Sequence, residues 1–166
     1  MDFARRSGTL LLAVAWLGII GLGWWWFAAW EREQHNPNHA LSATAAEVVL
    51  ERNRAGHYVA DGEINGERVT FLVDTGATTV ALPMSLARRL GLTLGAAVTV
   101  QTANGPKVAY QTRLRSVRLG SIELADVPAI ASEGMEGAGA LLGMSFLRHL
   151  EFSQRDGRLV LSRPRS

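Results

Sequence analysis

The sequence predicts a mostly β domain that closes on itself, contains one or two short helices, and follows a single transmembrane helix. Three observations support this fold class. Short apolar runs separated by turn residues recur from about residue 47 onward. Only two short stretches of this part carry apolar residues at helical spacing. The first thirty residues differ from the rest, because they contain a long run without a charge.

The uncharged run covers residues 9–30, and its 22 residues are enough to cross about 30 Å of hydrocarbon as a helix. Arg5 and Arg6 precede it, and short positively charged segments stay on the cytoplasmic side. All five tryptophans lie in this run, mostly towards its far end, as in an interfacial aromatic belt. We predict that residues 1–8 are cytoplasmic, that residues 9–30 span the cell inner membrane once, and that the remainder is periplasmic.

A cleaved signal peptide is the alternative interpretation of this run, since small residues near its end could admit a signal peptidase. The run is longer than an ordinary signal-peptide apolar region, and bulky tryptophans crowd the cleavage position. These features favour a membrane anchor.

Composition excludes several classes of function. The chain has no cysteine, so neither disulfides nor thiol chemistry contribute. Its net charge is only +2, and no basic run is longer than Arg88-Arg89, which argues against a nucleic-acid partner. His35 and His39 are four residues apart, but Asn36-Pro37 between them opposes a helix that would present both to a metal. We expect no metal and no cofactor.

The predicted elements follow in order. Residues 31–46 contain a proline, lack apolar periodicity and predict a tether, whereas residues 47–166 hold the folded domain. Asn65-Gly66 favours a two-residue hairpin turn, and Pro83 and Gly91 are a typical start and end for a short helix. The strands and helix of this first half are expected at residues 48–52, 57–64, 68–73 and 84–90 (the helix).

The second half predicts a hairpin, two short strands, a helix and a last strand. The hairpin turns at Ala103-Asn104-Gly105, and Pro128 indicates an edge strand or a bulge. Residues 132–139 are rich in glycine and acids and predict a loop. The elements are expected at residues 98–101, 107–113, 122–124, 127–131, 144–150 (the helix) and 159–161.

Asp74-Thr75-Gly76 is the motif that carries chemistry, because an apolar strand ends there in one carboxylate within a turn that glycine permits. Peptide hydrolysis without a metal or a nucleophilic side chain needs a base and an acid. Two carboxylates that share one proton supply both, since like charges about 3 Å apart cannot both ionise. The chain has one such motif, so a hydrolase of this kind requires two copies on a two-fold axis. A hydrogen-bonded turn without catalytic meaning is the plain alternative.

Residues 71–80, the later Leu141-Leu142-Gly143 and the hairpin between them resemble the retropepsin-like aspartic proteases, and among these the bacterial membrane-anchored ones. The resemblance covers about residues 59–161. It implies a closed β-barrel of the acid-protease type.

The resemblance also implies roles for individual residues. Asp74 would be catalytic, and Thr75, Gly76 and Ala77 would support the active-site loop. Leu141-Leu142-Gly143 would form a second loop beneath it. The substrate-binding flap would be formed by Thr102, Ala103, Asn104 and Gly105.

The function expected from these features is that of a membrane-anchored, homodimeric aspartic endopeptidase. A water activated by the two Asp74 carboxylates would hydrolyse peptide or protein substrates. A catalytically inactive module of the same fold, which binds peptides or dimerises at the membrane, is the alternative. Cleavage of the chain's own tether within residues 34–46 is a further possibility.

Overall fold

The structure, a computed structural model, describes residues 16–27, 30, 34–102, 105–135 and 139–164. The chain divides into two units, Met1–His35 and Asn36–Ser166. In the second unit the strands are β1 (Glu47–Glu51), β2 (Val59–Ile64), β3 (Glu67–Val73), β4 (Val80–Pro83), β5 (Ala97–Thr102), β6 (Gly105–Leu119), β7 (Ile122–Ser132), β8 (Ala140–Leu142), β9 (Glu151–Arg155) and β10 (Arg158–Ser162). The helices are α1 (Met84–Arg89) and α2 (Met144–Leu147).

In the first unit, residues 16–27 are helical and their large apolar side chains are exposed. The rings of Phe27 and Trp30 lie 5.8 Å apart, centroid to centroid. Among the described residues, no helix combines the length and the apolar character that a membrane span requires. Part of the predicted span 9–30, and all of residues 1–8, lie outside the described residues. The transmembrane helix stays a prediction.

A seven-stranded sheet in the order β2-β3-β8-β4-β7-β6-β5 forms most of the second unit. The long strand β6 closes it: β5 pairs with the first part of β6, and β2 pairs with its end through Ile64 and Val117. At this closure the backbones of β2 and β6 lie so close together that a Cβ on Gly62 would be 2.3 Å from the carbonyl oxygen of Arg118. The prediction of a mostly β, closed domain with two short helices is confirmed.

Two predicted strands are one long strand in the structure. Residues 122–124 and 127–131 both belong to β7, which lies between β4 and β6. The prediction that Pro128 marks an edge strand or a bulge is therefore wrong, since the register between β6 and β7 also continues without an inserted residue. Proline is tolerated inside the sheet because pairing with β4 begins only at the next residue, Ala129, so no ladder hydrogen bond to β4 is lost.

A second, three-stranded sheet has the order β1-β10-β9. The last strand of the chain, β10, is its centre and pairs with Glu47–Glu51 on one side and Glu151–Arg155 on the other. Strand β9 was not expected, because its sequence EFSQR lacks an apolar alternation. Both sheets and α2 contribute side chains to one core, in which Leu50, Phe71, Leu114, Phe146 and Leu161 are fully buried.

The folded unit begins earlier than residue 47. Asn38, in the range predicted as a tether, is only 5% exposed. Its side-chain oxygen accepts a hydrogen bond from the Glu51 amide at 2.7 Å, and its Nδ2 donates to the carbonyls of Glu51 and Val59 at 2.9 and 2.7 Å. Asn36 donates to the Asp61 carboxylate at 2.7 Å. Residues 36–38 are held in place by hydrogen bonds and not by apolar contacts. The apolar periodicity of the sequence therefore gives no indication that they belong to the folded unit.

Candidate active site

Strand β3 carries Asp74 to the surface. Val69 and Phe71 anchor the strand in the core, and the chain turns directly after Val73. Asp74 is half-buried, whereas Thr75 and Gly76 are exposed. The Gly76 amide donates to Asp74 Oδ1 at 2.8 Å, and the Ala77 amide donates to the Asp74 carbonyl at 3.2 Å. The turn therefore holds the carboxylate in one orientation and leaves it accessible from outside.

Strand β8 supports this turn from below. It runs parallel to β3, with Val73 opposite Leu142, and the Asp74 amide donates to the Leu142 carbonyl at 3.2 Å. The chain continues beneath the turn after Leu142, and the Met144 amide donates to the Ala77 carbonyl at 2.8 Å. The structure thus brings the two motifs together, although almost seventy residues separate them in the sequence.

Gly143 makes the close approach of the two segments feasible. A Cβ at this position would lie 2.3 Å from the Thr79 carbonyl oxygen and 2.7 Å from the Ala77 carbonyl oxygen. Its φ of −93° is ordinary, so the requirement for glycine is one of space and not of backbone conformation. The other two residues of the second loop, Leu141 and Leu142, are half-buried and fully buried.

Ser145 stabilises the site through buried hydrogen bonds, a role that was not predicted from the sequence. It is 4% exposed, and its hydroxyl donates to the Pro128 carbonyl at 2.8 Å while it accepts from the Val80 amide at 2.9 Å. One side chain therefore ties α2 to β4 and β7. The sequence does contain an indication of this role, because Ser145 lies inside the apolar stretch Leu141–Leu147. A hydroxyl that is buried with such a stretch needs hydrogen-bond partners.

We expect Ser145→Ala to lower the free energy of unfolding by about 1–3 kcal/mol, because the Val80 amide and the Pro128 carbonyl lose their buried partner. Urea unfolding of the purified chain measures this change. Ser42→Ala is the matched control, since within the part of the chain that the structure describes the hydroxyl of Ser42 bonds only the exposed hydroxyl and amide of Thr44. Equal unfolding midpoints for the two variants would contradict the bracing role.

The predicted hairpin between the motifs is confirmed. Strands β5 and β6 pair from Ala97 opposite Tyr110 to Thr102 opposite Gly105. The Thr102 hydroxyl donates to the Gly105 carbonyl at 2.7 Å, and Gly105 has a φ of +91°, which favours glycine. Ala103 and Asn104, the predicted tip of the flap, lie outside the described residues.

A cavity of about 730 Å³ lies at the base of this hairpin, between the loop after α1 and strands β6 and β7. Leu90, Leu92 and Ile130 form part of its wall, and Asp74 does not line it. The cavity is therefore separate from the carboxylate turn. Among the described residues, no group of three histidine, aspartate or glutamate side chains could hold a metal ion.

Comparison with known proteins identifies the family. The family described as gag-polyprotein putative aspartyl protease matches residues 60–149, just over half of the chain. An uncharacterized protein in the cobV 5′ region of a Sinorhizobium species is 37% identical over 111 residues, which are 65% of this chain and 48% of that protein. The uncharacterized protein RP867 of Rickettsia prowazekii (strain Madrid E) is 31% identical over 132 residues, 75% of this chain and 54% of the relative. The chain spans about half the length of these curated relatives.

The folded unit is also similar to a solved structure. The crystal structure of a retropepsin-like aspartic protease from Rickettsia conorii matches with a TM-score of 0.61 and 32% sequence identity, over 70% of this chain and 99% of that one. Both motifs and the hairpin lie inside the range that the family matches. The chain therefore belongs to the retropepsin-like aspartic protease family.

Proposed function

We propose that two copies of this chain form an aspartic endopeptidase whose active site contains both Asp74 carboxylates. The observation that carries the proposal is the carboxylate turn. It presents one accessible Asp74, oriented by the Gly76 amide and supported by the chain at Gly143. One carboxylate has no acid to accompany it, so the second must come from another copy.

In the dimer, a water molecule lies between the two carboxylates, which together carry one proton. The ionised Asp74 accepts a proton from the water as its oxygen attacks the scissile carbonyl carbon. The protonated Asp74 donates its proton to the carbonyl oxygen, and a tetrahedral diol forms. The protonated Asp74 then donates its proton to the peptide nitrogen while the ionised Asp74 takes a proton from a diol hydroxyl. The carbon–nitrogen bond breaks, an amine and a carboxylic acid are released, and the pair again carries one proton.

Peptide or protein substrates bind in an extended conformation across the two turns. The β5–β6 hairpin acts as the flap, because it lies about thirty residues after Asp74 and its last described pair is Thr102 opposite Gly105. A strand-like substrate forms main-chain hydrogen bonds with such a hairpin, and closure excludes water from the diol. Thr75, exposed in the single chain, meets its counterpart across the two-fold axis.

Residues 9–30 anchor the enzyme in the cell inner membrane with the catalytic domain in the periplasm. The length of the uncharged run, the two arginines before it and the tryptophans near its end support this orientation. The anchor confines the subunits to one plane and raises their effective concentration, so a weak dimer suffices for activity.

The proposal predicts that an inactive chain lowers the activity of an active chain by forming heterodimers with it. We expect co-expression of a tenfold excess of the Asp74→Asn chain to lower cleavage by the wild-type chain about tenfold, because most wild-type subunits then lie in heterodimers with one ionisable Asp74. Cleavage of a peptide library by the full chain, purified in detergent and normalised to wild-type subunit, measures the effect. An equal excess of wild-type chain is the control and should not lower cleavage per wild-type subunit. If cleavage per wild-type subunit did not fall in the presence of the inactive chain, one Asp74 would be sufficient for activity.

A further inference from the structure

The cavity beside the hairpin lies on the outer face of strands β6 and β7. Arg113 is opposite Pro128 and Gln111 is opposite Ile130, so these side chains project to one face of the sheet. The other face covers the core, where Leu114 is completely buried. The loop after α1 lies over part of the outer face and leaves a cavity of about 730 Å³ beneath it. Sites for small molecules have volumes of about 300–1,000 Å³, so this cavity is large enough to be one.

One side of the cavity is aliphatic. Leu90 and Leu92 of the loop line it together with Ile130 of β7, and all three side chains are only half-buried. The protein alone therefore leaves aliphatic surface in contact with water at this place. A ligand with an aliphatic chain would remove that surface from water, which is favourable in proportion to the area covered.

The other side of the cavity is cationic. Arg113 and Arg115 line it, and no acidic residue of the described part of the chain does. Arg113 is neutralised by Asp126, whose carboxylate accepts a hydrogen bond from its Nη1 at 2.5 Å. Arg115 is exposed and forms no ion pair with any described residue. The loop across the cavity, residues 90–96, has no charged side chain. One anionic group is therefore complementary to Arg115.

The backbone around the cavity is largely hydrogen-bonded within the chain. The Gly95 amide donates to the Gln111 carbonyl at 2.7 Å, and the Thr112 hydroxyl donates to the Thr93 carbonyl at 2.9 Å. Strands β6 and β7 pair with each other across the floor. An extended peptide binds through main-chain hydrogen bonds, for which these groups are already used, whereas an aliphatic chain needs none. The walls therefore favour a small amphiphile over a peptide segment.

We propose that this cavity binds a fatty acid. Its carboxylate lies against the guanidinium of Arg115, and its chain lies along Leu90, Leu92 and Ile130. Asp74 does not line the cavity, so the site is independent of the proposed catalytic function.

Octanoate is the probe for this site, because it has both a carboxylate and an aliphatic chain and dissolves as single molecules. Isothermal titration into the full chain, purified in a nonionic detergent, measures its binding, with protein-free micelles as the blank. We expect saturable binding of one octanoate per chain. From butanoate to octanoate, Kd should fall about two- to fourfold for each added methylene, because each is buried against the aliphatic side. Uptake that does not saturate, or that equals the blank, would show partition into the micelle only and would overturn the proposal.

The position of the carboxylate is tested by removing the positive charge. Arg115→Gln should raise the Kd of octanoate about tenfold, since the charged hydrogen bonds are lost. It should leave the Kd of 1-octanol unchanged, because the alcohol carries no charge. Arg88→Gln is the matched control: Arg88 is also exposed and changes the net charge equally, but it does not line the cavity. Equal Kd values of the two variants for octanoate would disprove the role of Arg115.

The position of the chain is tested on the leucines of the loop. Leu92→Ala should raise the Kd of octanoate about threefold and leave that of butanoate nearly unchanged, because only the longer chain reaches this side chain. Leu94→Ala is the matched control, since Leu94 belongs to the same loop but does not line the cavity. Ile130→Val shortens the same aliphatic side by one methyl group and should raise the Kd about twofold, which keeps the test valid if Leu92→Ala does not fold. Unchanged Kd values in both cavity variants would contradict the proposed chain position.

Two further titrations separate this proposal from its alternatives. A short acetylated peptide of two leucines and one glutamate should bind more weakly than octanoate. Tighter, Arg115-dependent binding of the peptide would make this a peptide site and overturn the fatty-acid assignment. The Asp74→Asn chain should bind octanoate with the Kd of the parent, whether or not the parent cleaves peptides. Loss of octanoate binding in Asp74→Asn would place the ligand at the carboxylate turn and overturn the cavity site.

Discussion

Replacing Asp74 by asparagine is expected to abolish peptide cleavage while the fold remains intact. Asparagine has nearly the same shape and accepts the hydrogen bond from the Gly76 amide, so the turn keeps its geometry. It can neither take a proton from water nor share one with a second carboxylate. Loss of acid–base catalysis alone accounts for about 10²–10⁴-fold in rate. Because both Asp74 side chains of the dimer change at once, we expect a decrease of at least about 10³-fold.

Cleavage of a peptide library by the detergent-purified full chain, at several pH values, measures this loss. The unfolding midpoint and the sedimentation behaviour should both stay at the level of the active chain, which separates loss of chemistry from loss of structure or assembly. Asp61→Asn is the matched control, because Asp61 is a carboxylate of the same domain that bonds Asn36 and Thr70 instead of the turn. Cleavage by Asp74→Asn at a rate near that of the Asp61 control would refute the assignment of Asp74.

Replacing Gly143 by alanine is expected to have the largest effect on stability. The added Cβ would overlap the Thr79 and Ala77 carbonyl oxygens, and both are backbone atoms that cannot rotate away. The chain must therefore move off the carboxylate turn and lose the hydrogen bond from the Met144 amide to Ala77. Overpacking of this kind costs about 3 kcal/mol or more in free energy of unfolding. Activity should fall as well, since Asp74 loses its support.

Urea unfolding and the cleavage assay measure the two effects. Gly95→Ala is the matched control: it adds the same methyl group to a residue with an ordinary backbone conformation, and its nearest neighbour would be 3.3 Å away instead of 2.3 Å. We expect this control to stay within about 1 kcal/mol of the parent. If Gly143→Ala were as stable as Gly95→Ala, the close packing of the two loops would be disproved.

The features that local chemistry controls can be predicted from the order of the residues alone. A strand that ends in an acidic turn, a hairpin that closes at Gly105, and short helices beginning after Pro83 and Gly143 follow from turn residues and apolar spacing. The mostly β fold class and the family follow from the same features. Each of these properties depends on residues that are neighbours along the chain, so one sequence is enough to predict them.

The candidate site is held together by contacts between segments that are far apart in the chain. Gly143 is required because two distant loops approach within the space of a missing methyl group. Ser145 and Asn38 are buried because each satisfies the backbone groups of other strands. Residues Glu151–Arg155 form a strand because they pair with β10, although they have no apolar alternation of their own. Close approach, hydrogen bonding and pairing between remote segments leave no periodicity in the sequence, and therefore the three-dimensional structure was needed to see them.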